Sequence, residues 1–132
     1  MKKRGLLYIM IIIALFMLGS SQGKWPFKDL TREDIVSAAV VVSPPDKSLE
    51  IKDEFQLNYL VDALNSVVIY KEVSMEGMVS RPLVQFTLKL KDGSTVKVEP
   101  AGAQIIVNDT GYKAKQESSL ELFTLGTRLV SN

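Results

Sequence analysis

The 132-residue sequence has no cysteine and no histidine. The first absence excludes disulfide staples, thiol nucleophiles and thiolate metal sites; the second removes Ser-His triads and zinc sites that need imidazole. Tryptophan occurs once, at Trp25. An excess of either charge is missing too: 16 Lys and Arg face 15 Asp and Glu, and no dense basic stripe marks a nucleic-acid partner. A phosphate-cradling glycine loop, a nucleophile elbow and an aromatic stacking platform are all absent. What remains is a globular balance, 46% hydrophobic and 23% charged, in a chain of one ordinary domain's length. The expectation is a protein that is not an enzyme, with no catalytic residue, cofactor or metal.

Lys2, Lys3 and Arg4 precede the apolar run Leu6 to Leu18, and Gly19, Ser20, Ser21, Gln22 and Gly23 follow it. This order of basic, apolar and small residues matches a secretory signal peptide. As a helix the run would span roughly 20 Å, short of the ~30 Å hydrocarbon core, so a cleaved signal is the first reading and a retained anchor the second. Either way the basic start leaves the rest of the chain outside the cytoplasm. Ser20 after Leu18-Gly19 offers no thiol for a lipid, and Met10 stands where a prepilin leader has Glu. We therefore divide the chain into residues 1–21, a signal peptide or membrane anchor; 22–33, a linker or strap; and 34–132, one α+β domain. A membrane is met only through residues 6–19, if they are retained. Cleavage after Ser21 would remove three cations and turn the net charge from +1 to −2.

Ile35 to Val42 is β-branched and nearly continuous, and is expected to be a strand buried on both faces. Ser48 to Ile51 returns as a second strand after Pro44-Pro45-Asp46. Asp53, with Gln56 as the other half of a capping box, opens a helix whose stripe is Leu57, Leu60, Val61, Leu64 and Val68 and which ends near Ser66. Val67 to Val73 is again strand-like. From Leu83 the apolar period is two, and placing charge outside requires a three-residue loop, Lys91-Asp92-Gly93, that sets Leu88 opposite Val96 and Phe86 opposite Val98. By the same test a four-residue loop, Asn108 to Gly111, would pair Val107 with Tyr112, with positive φ at Gly111. Ser118 and Glu121 form a capping box for a C-terminal helix carrying Leu122, Leu125 and Leu129. The expected architecture is α+β, an antiparallel sheet of about five to six strands in the order ββαββββα, backed by two helices.

The carboxylates are spread evenly, and Asp53, Glu54, Asp92 and Asp109 read as helix-start and turn residues. Lys89, Lys91 and Lys97 share the wet face of the hairpin and are candidates for an anionic wall polymer or lipid headgroups, with Lys113 and Lys115 as neighbours. Met75 and Met78, flexible thioethers around Gly77, and Arg81 form a candidate binding loop. Asp34-Ile35 opening a strand, the helix Phe55 to Asn65, Leu88-Lys89-Leu90-Lys91-Asp92-Gly93, and Ile105 to Asn108 with Gly111-Tyr112-Lys113 together resemble small extracytoplasmic Gram-positive proteins of unknown function. The resemblance implies an envelope-facing accessory module and brings no catalytic residues. The function expected is an exported, non-catalytic binding module whose partner is an envelope protein or an anionic wall polymer. The alternatives are a membrane-tethered regulatory or immunity-type protein and a hydrolase using carboxylates alone.

Overall fold

The computed structural model describes residues 23–43, 46–74 and 84–131. Seven strands form one antiparallel sheet: β1 (Ile35–Val42), β2 (Lys47–Ile51), β3 (Ile69–Val73), β4 (Val84–Leu90), β5 (Thr95–Ala101), β6 (Gln104–Val107) and β7 (Thr110–Ala114), in the spatial order β2-β1-β4-β5-β6-β7-β3. Two helices, α1 (Glu54–Asn65) and α2 (Gln116–Ser131), complete an α+β fold. The expected order is thus one strand short: five strands, β3 to β7, stand between the helices where four were expected, and the sheet has seven strands rather than five to six.

Both helices cover one face. Leu57, Leu60, Val61 and Leu64 of α1 and Leu122 and Leu129 of α2 join Ala38, Val40, Phe86, Leu88, Val96, Val98, Ile105 and Tyr112 in one buried cluster. β1 has the expected bounds but only one buried face, since Val36 is 66% exposed and Val41 is exposed too. A register shift between Ile35 and Ser37 lets Ile35 and Ala38 both point inward. Helix α2 comes so close to the sheet that a Cβ at Gly126 would collide with the Val84 side chain and stand 3.3 Å from Phe86 Cζ.

Turn chemistry sets the registers. Phe86 faces Val98 and Leu88 faces Val96, as the period of two requires, and Gly93 takes φ +90° in the three-residue loop. The next hairpin departs from expectation. Val107 pairs with Thr110 and Ile105 with Tyr112 around a two-residue Asn108-Asp109 turn, whose residues take φ 48° and 71°. These are the two positive φ values of a type I′ turn, and Asn and Asp tolerate them better than most side chains. Gly111 lies inside β7 rather than at the left-handed position.

The helix starts also divide. Asp53 Oδ1 accepts from the amides of Phe55 and Gln56, capping α1 as expected, and Ser66 closes the helix. At α2 the helix begins at Gln116, two residues before the expected cap. Buried Ser118 instead donates its hydroxyl to the Ser66 carbonyl at 3.2 Å and accepts from the Val68 amide at 3.3 Å. It serves as a clamp between the end of α1 and the start of β3. A buried hydroxyl that satisfies two backbone groups is worth more there than at an exposed cap.

The segment before β1 is fastened rather than loose. Lys24 exchanges two backbone hydrogen bonds with Ile69, at 2.8 and 2.9 Å. Phe27 is buried, and the Asn65 amide donates to the carbonyls of Phe27 at 2.6 Å and Leu30 at 3.0 Å. Further along, Arg32 reaches Glu54 at the opposite end of α1. The strap therefore runs antiparallel alongside that helix.

Candidate binding surface

The second face of the sheet is covered by no helix among the described residues. Strand alternation decides what it displays, since each inward apolar residue forces its neighbour outward. Across β2, β1, β4 and β5 the outward row reads Glu50, Ala39, Thr87, Lys97; the adjacent row reads Ser37, Lys89, Thr95. Ser37 and Ala39 are small, so β1 forms the floor of a shallow depression of about 310 Å³ walled by Ser48 and Glu50 on one side and Thr87 and Lys89 on the other.

Lys89 and Lys97 are exposed and stand diagonally across adjacent strands, a relation that typically places Cα atoms roughly 7–8 Å apart. Lys91 follows in the loop, its amide donating to the Asp34 carbonyl at 3.0 Å while the residue is exposed. Among the described residues no ion pair engages any of these three lysines, whereas Arg32 is held by Glu54, Lys52 by Glu50 and Lys115 by Glu117. Lys113 is outward-facing but lies two strands from β5, opposite Gln104, and Lys115 belongs to the start of α2. The patch is therefore Lys89, Lys91 and Lys97, and the other two lysines do not extend it. Met75, Met78 and Arg81 lie outside the described residues.

Glu99 continues the outward side of β5 beside Lys97 and opposite Ile106. Burial raises its carboxyl above the ordinary range, Asp109 adds to the rise and Lys97 opposes it. Neither Glu99 nor Asp109 lines the depression over β1. Other acids have structural partners: Asp53 caps α1, Asp34 accepts from the Thr31 amide, and Asp92 Oδ1 takes the Ser94 amide at 2.8 Å. Among the described residues no group of three or more Asp or Glu side chains is placed to hold a metal ion. On the same face the Gln104 side-chain oxygen is buried without a hydrogen-bond partner among the described residues.

One surface feature escaped the sequence reading. Phe55 and Tyr59, four residues apart on α1, are 79% and 66% exposed, on the side of the helix opposite the buried leucines. Its signal was available: the stripe Leu57, Leu60, Val61, Leu64 is complete without them, which strands two aromatics outside it. No family model matches the chain, and no curated protein or solved structure matches it significantly.

Proposed function

We propose that this chain is an exported, non-catalytic binding module of the cell envelope whose contact surface is the outer sheet face across β1, β4 and β5, bearing Lys89, Lys91 and Lys97. The observation that carries the reading is that these cations are exposed and free of ion pairs among the described residues, on a face that no described element covers. The partner is a repeating anion such as a wall polymer. Lysines act as mobile point charges, suited to phosphates spaced along a flexible chain. An acidic patch on an envelope protein would engage the same side chains. Met75, Met78 and Arg81 remain part of the proposal on sequence grounds alone.

Binding of a soluble poly(glycerol phosphate) to the full chain tests this. Wild-type binding is expected to weaken as salt rises through the range that screens exposed charges. The triple change Lys89→Glu, Lys91→Glu, Lys97→Glu is expected to abolish it, with unfolding stability kept within about 0.5 kcal/mol as for surface sites. Binding that survives the triple change rejects this surface. A second reading, the membrane-tethered form, is favoured by the strap: the first described residues are bonded firmly to the domain, yet Trp25 among them is 49% exposed.

A further inference from the structure

We infer that the strap end of the domain, marked by Trp25 with Lys24 and Lys28, rests against the lipid headgroups of the outer leaflet. The inference rests on the tethered reading of the N-terminus and adds to it an orientation. Its first support is length. The apolar run ends at Leu18 and the described residues begin at Gly23, five peptide links later, a reach of at most about 18 Å. Thirteen apolar residues fall short of the hydrocarbon thickness, so a retained span draws Gly19 to Gln22 toward the bilayer and leaves little slack.

The second support is that the strap cannot swing away. Lys24 is bonded to Ile69 through both its amide and its carbonyl, Phe27 is buried, and the Asn65 side-chain amide donates to the carbonyls of Phe27 and Leu30. Gly23 passes so near β3 that a Cβ there would stand 2.8 Å from Val68 Cγ1. Between these fixed points Trp25 is half exposed and Lys28 is exposed. An indole held at the mouth of a membrane span, with cations on either side, has the chemistry of the bilayer interface, where tryptophan ring and N–H are both satisfied and lysine meets phosphate. Phe55, at the far end of α1 beside the strap's other end, is placed away from that boundary.

Trp25 is the sole tryptophan, so its fluorescence reports this contact alone. The full chain is purified from host membranes, its N-terminus sequenced, and the protein reconstituted into phosphatidylglycerol vesicles with nitroxide-labelled lipids. An intact N-terminus with blue-shifted Trp25 emission, quenched more by headgroup-level than by mid-bilayer labels, is the expected result. The variant Trp25→Phe/Phe55→Trp moves the reporter to the other end of α1 and is expected to emit as in water, unquenched. An intact N-terminus with water-like Trp25 emission overturns the orientation while leaving the tether standing. Equal quenching at positions 25 and 55 also overturns it, in favour of a domain lying flat. A chain beginning between Ser21 and Lys24 overturns the tether, and the inference with it.

Discussion

On β4, Phe86 and Leu88 are wholly buried against the helices, while Thr87 and Lys89, one residue along, look out from the face that no described helix covers. The same alternation repeats on β5, where Val96 and Val98 are buried and Thr95 and Lys97 exposed. One set of backbone hydrogen bonds thus supports two surfaces under opposite constraints. The inner one must fill space at interior density, because a missing methyl leaves a cavity. The outer one is limited mainly by solubility and by what it touches, so small and charged residues can stand there at little cost to the fold. Burial and display are separated by a single step along the chain.

That separation can be broken most directly at neighbouring positions. Phe86→Ala is expected to cost about 3–5 kcal/mol in chemical denaturation, as for other buried aromatics, whereas Thr87→Ala stays within about 0.5 kcal/mol. Comparable losses at both sites would mean that something packs on the outer face. Gly126→Ala tests how closely α2 is pressed onto the inner face. Crowding Val84 costs about 1–3 kcal/mol, against a helix-propensity gain of about 1 kcal/mol, so a net destabilisation is expected; a more stable variant would show that the helix can lift without loss.

The smallest expected effect is on the outer face, at Glu99. Burial first, and Asp109 second, hold its folded-state carboxyl above the ordinary value of 4.5, so the folded chain keeps that proton more tightly than the unfolded one. The associated stabilisation is full below pH 4.5 and is lost as pH rises through the raised value. Glu99→Gln, uncharged throughout, should therefore flatten the fall in stability over that window and make the variant relatively firmer at neutral pH. Parallel stability profiles of variant and wild type would exclude Glu99 as a source of pH dependence.

Much of the inner face was readable because burial imposes a period. The stripe of α1, the bounds of β1 and the β4–β5 register all follow from apolar spacing plus one glycine at positive φ. The β6–β7 hairpin exposes the limit of that method. Pairing Val107 with Tyr112 or with Thr110 differs by a slip of two residues, which keeps every side chain on its face, so alternation cannot separate them. The choice is made by Asn108 and Asp109, which accept left-handed backbone and close the turn in two residues. Ser118 was misread for a similar reason: a capping box is a local pattern, and the hydroxyl is claimed by Ser66 and Val68, some fifty positions away. Lys89, Lys91 and Lys97 could be placed on one face from sequence, but the depression beside them depends on β1 lying next to β4, which no local spacing announces.

The strand order has a consequence for how the chain acquires its fold. β4 to β7 form a meander of short hairpins, while β1 docks on one side of it and β3 on the other, with those four strands between them. Ala38 meets Leu88 across 50 positions, and Glu72 meets Tyr112 across 40. The N-terminal half therefore encloses a sheet whose middle is made last. A chain emerging N-terminus first presents β1, β2, α1 and β3 before either long-range partner exists, and these segments gain a common core only when the meander and α2 arrive. Such an order delays commitment to the native state until the whole chain is available, a delay that the export proposed above would require.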